Sequence, residues 1–232
     1  MGIVWWLPSD VVETIEDITQ SESHPDHPVI YVSIASHNED TLSPNYPNYV
    51  EEEIEFWKSR ALVVSFADML HEMDVEYNFQ ADWNFLLGLI EYDDGTPSTN
   101  GKNLLEYLVE DLDFSVDPHS HQNLGYNYAD VAYLIDSLGV EPSGVVGGAL
   151  VKPVEDSIFE DFWKPIKANR YDYTWRAEML WGGGTSLHVD EEDVWVSGVW
   201  IPKDKENFTT HDEDGPLPDV GNFQSNWEGL EL

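Results

Sequence analysis

Three apolar runs, each closed by a polar cluster and each followed by helical periodicity, constrain this chain more than any other feature. Residues 29–36 (VIYVSIAS) are continuous and β-branched, the pattern of a strand buried on both faces, and they end in His37-Asn38-Glu39-Asp40. Residues 75–80 (VEYNFQ) read as a second strand, ending in Ala81-Asp82-Trp83-Asn84. Residues 114–116 are the third, running into Asp117-Pro118-His119-Ser120-His121. Between the first two, Val50, Ile54, Trp57, Ala61 and Val64 recur at spacings of three and four. With Leu62, Phe66, Met69 and Met73 widening the stripe, they predict an amphipathic helix over residues 49–73. Residues 85–90 and 103–112 read as further helices, the second with Leu104, Leu105, Leu108 and Leu112 on one face. A helix over residues 127–138 has Asn127 placed as N-cap and Gly139 just past its end. Residues 144–151 are a fourth strand, 159–169 a helix or irregular lid, and 173–180 and 194–201 two aromatic strands. Residues 1–28 form a lead-in with a short helix expected at 8–18. This alternation predicts one α/β domain over residues 29–232, a distorted or incomplete (β/α) barrel with parallel strands.

Active groups in such folds sit at the C-terminal ends of strands. Here those ends carry His37 and Glu39, then Asp82 and Asn84, then Asp117, His119 and His121. Along an extended backbone alternate side chains share a side, so His119 and His121 aim at one point, with Pro118 stiffening the approach. Two converging imidazoles at a strand end suit a divalent metal. The competing reading is that of solvated polar loop residues. Gly147-Gly148, at the end of the fourth strand, reads as a place of close backbone approach.

Composition removes several classes of function. The net charge is −36, from 46 acidic and 10 basic residues, with no basic stripe to neutralise phosphates. Nucleic acid and anionic membranes are therefore not expected partners. The acids are spread along the chain and not gathered in a block, which resembles the surface of a salt-adapted protein. There are no cysteines, which excludes disulfides, thiolate metal sites and cysteine nucleophiles. No run of 18 apolar residues exists, so no membrane span is expected. The first ten residues lack the basic flank and long apolar stretch of a signal peptide, which fits a cytoplasmic start or an extracellular protein with its leader removed.

The polar clusters SIASHNED, NFQADWN and VDPHSHQN, each after a strand, resemble in their order the polysaccharide deacetylase superfamily over roughly residues 29–150. That resemblance implies an irregular (β/α) barrel and a metal-dependent carbohydrate esterase. It implies His119 and His121 as metal ligands, with His37 or Glu39 in place of the first-strand ligand. The family usually carries paired aspartates after its first strand and histidines four apart. This chain has His37-Asn38-Glu39-Asp40 and a spacing of two.

Three chemistries follow. In the first, a divalent metal, zinc by preference, polarises an amide or ester carbonyl and activates water against it. Asp82 or Glu39 would accept the proton, Asp117 would act beside them or orient a ligand histidine, and His188 or His211 would protonate the leaving group. The substrate would be an acylated carbohydrate or other small polar molecule, with Trp83, Asn84, Trp181 and Trp200 as contacts. Core packing is the competing role for those tryptophans. In the second, a glycoside hydrolase without metal uses two of Glu39, Asp82, Asp117 and Glu178 at ~5–5.5 Å or ~6.5–9.5 Å. In the third, the chain binds carbohydrate without turnover, for which ten tryptophans and eleven tyrosines supply stacking surface.

Overall fold

The computed structural model describes residues 33–38, 47–148, 164–181, 198–201, 203–204, 212–215 and 219–222. Apart from Ser33 these lie in one compact unit, Ile34–Leu232. The helix expected at residues 8–18 falls outside them, as do Glu39, His188 and His211.

Strands β1 (Ser33–His37), β2 (Glu76–Ala81) and β3 (Ser115–Pro118) form a parallel sheet in that spatial order. Helix α1 (Glu53–Glu72) links the first pair. Helices α2 (Trp83–Tyr92) and α3 (Leu104–Glu106) link the second, and a π turn over Tyr107–Asp111 continues α3. After β3 the chain passes through α4 (Tyr128–Ser137) to β4 (Val145–Gly147). A parallel bridge between His119 and Gly147 sets β4 beside β3. Four successive strands are thus neighbours in chain order, as in the wall of a (β/α) barrel.

A small antiparallel pair follows, β5 (Ile166–Lys167) with β6 (Thr174–Trp175). Strand β4 also pairs in parallel with β7 (Met179–Trp181). That second sheet runs β4-β7-β9-β8, with β8 (Gly198–Trp200) antiparallel to β9 (Asp219–Asn222). No closed barrel forms among the described residues, and the architecture is mixed α/β around the parallel three-stranded sheet. The lid or helix expected at 159–169 holds β5 in its described part, and the strand expected at 173–180 is broken into β6 and β7.

The register pairs Asn78 with Ser115, Phe79 with Val116 and Gln80 with Asp117. Period-two alternation therefore gives the sheet an apolar face of Tyr77, Phe79, Ala81 and Val116, all buried in the core. Its other face carries Asn78, Gln80, Asp117 and His119. The last three are also buried, at 0%, 5% and 1% exposure. A buried polar face is costly unless its groups find partners, so its hydrogen bonds are where function is to be sought.

Helix α1 differs from its expected orientation. It buries Phe56, Arg60, Val64, Ala67 and Leu70, while Ile54, Leu62 and Met69 stay 71%, 54% and 46% exposed. The helix carries two apolar stripes, because Phe56 lies about 200° around the axis from Ile54. The Phe56 stripe wins through rings and charge. Phe56 packs on Tyr49, Phe85 and Tyr92, and Arg60 Nε reaches Asp93 Oδ2 at 2.6 Å.

Candidate metal centre at the strand ends

Backbone hydrogen bonds continue past the ends of the strands and align them. Asn38 N donates to Gln80 O at 2.9 Å, His119 N to Ala81 O at 2.8 Å, and Ser120 N to Gly147 O at 3.0 Å. The C-terminal ends of β1 to β4 are therefore locked side by side. His37, Gln80, Asp82, His119 and Gly147 share one rim.

At that rim His119 and His121 converge. Their Nε2 atoms stand 3.2 Å apart, with the rings nearly perpendicular at 83°. The ring of His37 lies 4.7 Å from that of His119, centroid to centroid. His119 is buried, His121 half-buried and His37 exposed, so the cluster grades from interior to solvent. The other ring nitrogen of His119, Nδ1, is 3.3 Å from Gln80 Oε1.

Two facing imidazole nitrogens share either a proton or a cation. Two nitrogens bound at about 2.0–2.1 Å to one tetrahedral ion stand about 3.3–3.4 Å apart, close to the separation found here. The donors thus suit a borderline-soft ion such as zinc. As the side chains stand, no group of three or more His, Asp or Glu among the described residues is placed to hold an ion. The geometry is a two-imidazole fork with a third imidazole in ring contact.

The glycine pair of β4 closes over the same ring. A Cβ on Gly147 would fall 2.1 Å from Gln80 Oε1 and 3.1 Å from His119 Nδ1. One on Gly148, whose φ is +76°, would fall 2.8 Å from His119 Nε2. Only glycine at both positions lets the backbone pass this close to the imidazole.

The other expected site residues divide. Asp82 is fully buried and caps α2, its Oδ1 accepting from Phe85 N at 2.9 Å. Asp117 accepts from Asn78 Nδ2 at 2.7 Å and from the Ser143 hydroxyl. Burial raises its pKa above the ordinary carboxylate range, and those two hydrogen bonds lower it by less. Among the described residues no hydrogen bond joins Asp117 to a histidine.

Trp83 is 6% exposed, with its ring stacked on Tyr126 at 4.6 Å and its Nε1 donating to Asn123. Asn84 holds the loop before α1, accepting from Tyr49 N and donating to Pro47 O. Both are engaged in packing. Of Trp181 and Trp200 only the backbone is described; Trp181 pairs with Gly147 in register. Glu178 is exposed beside Arg176, 3.5 Å away. Gln80 belongs to the site through its contact with His119, a neighbour that the sequence pattern around β2 does not reveal.

No protein-family profile, curated protein or solved structure matches the chain. Among the described residues no helix is long and apolar enough to cross a membrane.

Proposed function

We propose that this chain is a metal-dependent hydrolase, with a divalent cation, zinc by preference, held between His119 and His121. The observation that carries this reading is the 3.2 Å approach of their Nε2 atoms at the C-terminal rim of neighbouring parallel strands. His37 is the proposed third ligand. It is exposed and already in ring contact with His119, and ligation would require its side chain to turn toward the fork. A cation there supplies Lewis acidity toward a scissile carbonyl and lowers the pKa of water at the open position.

The chain's own residues do the rest. His119 contributes an Nε2 lone pair from a ring held by the β4 backbone and by Gln80. Asp82, directly after β2 on the same rim, is the proposed proton acceptor, with Glu39 its counterpart after β1. Acylated carbohydrate is the proposed substrate class. It rests on the resemblance of the three strand-end clusters to polysaccharide deacetylases.

Purified protein is expected to carry about one zinc per chain. Chelation is expected to remove the metal together with acetate release from acetylated oligosaccharides, and added zinc to restore both. Full activity in chelated protein, or a stoichiometric metal load in His119→Ala/His121→Ala protein, would overturn the proposal.

A further inference from the structure

We infer that Gln80 sets the tautomer of His119, accepting Nδ1–H so that the lone pair sits on Nε2, facing His121. The consequence for metal affinity rests on the function proposed above; the tautomer assignment does not.

The end of the Gln80 amide that faces the ring determines the tautomer. Oxygen and nitrogen of an amide are told apart by their surroundings. Here the surroundings decide. The direction in which a Cβ of Gly147 would lie ends 2.1 Å from the amide atom nearest His119. In glycine that direction holds an α-hydrogen, so a polarised C–H points at this atom. An oxygen accepts such a contact, and an NH2 group with hydrogens of its own repels it. The atom 3.3 Å from Nδ1 is therefore Oε1, and Nδ1 must be the donor. Nε2 of Gln80 is then left buried with no partner among the described residues. The amide keeps this orientation in spite of that loss.

The surrounding sequence serves the same end. Gln80 is fully buried, opposite Asp117 in the register, on the polar face that leads up to His119. Any side chain at position 147 would strike Oε1 and break the contact. Any side chain at 148 would crowd Nε2, the atom the tautomer leaves unprotonated. A histidine that ligates through one nitrogen is oriented and made more basic by an acceptor on the other. Gln80 supplies that acceptor, and makes a positioning residue rather than a catalytic one.

Long-range 1H–15N correlation of the imidazole rings reads the tautomer directly. It is measured on the full chain without metal at about pH 8.5, above the ordinary imidazolium range. In wild-type protein His119 is expected to carry its proton on Nδ1. Gln80→Glu keeps an acceptor and is expected to preserve that signature. Gln80→Leu is expected to move protons onto Nε2 and to weaken zinc binding about 10–100-fold. A wild-type His119 protonated on Nε2, or a Gln80→Leu spectrum identical to wild type, overturns the inference. If zinc fails to bind wild-type protein while Nδ1 carries the proton, the metal reading falls and the role of Gln80 stands.

Discussion

An imidazole two residues from another on an extended backbone can only point the same way, and that made His119 and His121 legible in the sequence. Asp117 obeys the same rule, yet the structure shows it one pleat deeper. Among the described residues its carboxylate makes no hydrogen bond to the ring of His119. It bonds to Asn78 and Ser143 instead. Gln80 was hidden because an amide within a strand has no chemical signature until its neighbours are known. The environment of Asp117 carries a pH prediction. Burial raises its folded pKa, so the folded state holds the proton more tightly than the unfolded chain does. The stabilisation this provides is complete below the unfolded value near 3.9 and is lost as pH rises through the folded value. Asp117→Asn removes that titration. Relative to wild type, its stability in urea is expected to rise across the lost window as pH is taken from about 4 to 7. A difference that stays flat or falls would show the carboxylate to be well tolerated in its charged form.

At the scale of elements, local punctuation was readable and facing was not. Asn127 caps α4 in a reciprocal box, with Asp130 Oδ2 accepting from Asn127 N at 2.8 Å, and Gly139 takes φ +87° beyond the helix end. These depend on a few neighbouring residues. The buried face of α1 depends on partners outside the helix, notably Phe85, Tyr92 and Asp93, and two competing stripes left it undetermined. Asp130 does more than cap. It also accepts from Asn169 N and Arg170 N, at 3.1 and 2.8 Å, and so ties the β5–β6 segment to α4. Asn127→Ala is expected to cost about 1 kcal/mol, and Asp130→Ala about 3 kcal/mol or more, in urea unfolding. Equal costs would mean that the ties to 169 and 170 contribute nothing. Arg60 and Asp93 form a pair with side chains 3% and 0% exposed, and Asp93 also accepts from Leu104 N. Arg60→Leu leaves a buried carboxylate without its cation and is expected to cost about 3–5 kcal/mol. A loss below about 1 kcal/mol would place that carboxylate in contact with water.

For the whole molecule, the strand–helix alternation made the parallel sheet and the adjacency of β1 to β4 legible. Closure was not legible, because the later strands are short and include antiparallel pairs. A net charge of −36 dominates behaviour at this scale. Raising salt from 0.1 to 1 M shortens the screening length from about 10 to about 3 Å and relieves self-repulsion. Thermal midpoints are expected to climb over that range, and a flat or falling trend would count against a salt-adapted surface. Whether imidazoles from neighbouring strand ends bind one cation is read by X-ray absorption at the zinc edge. The expected spectrum of zinc-loaded protein shows three imidazole nitrogens at about 2.0–2.1 Å, with no loading in His119→Ala/His121→Ala protein. A first shell of oxygen alone, or undiminished loading of the double variant, would contradict binding by these imidazoles.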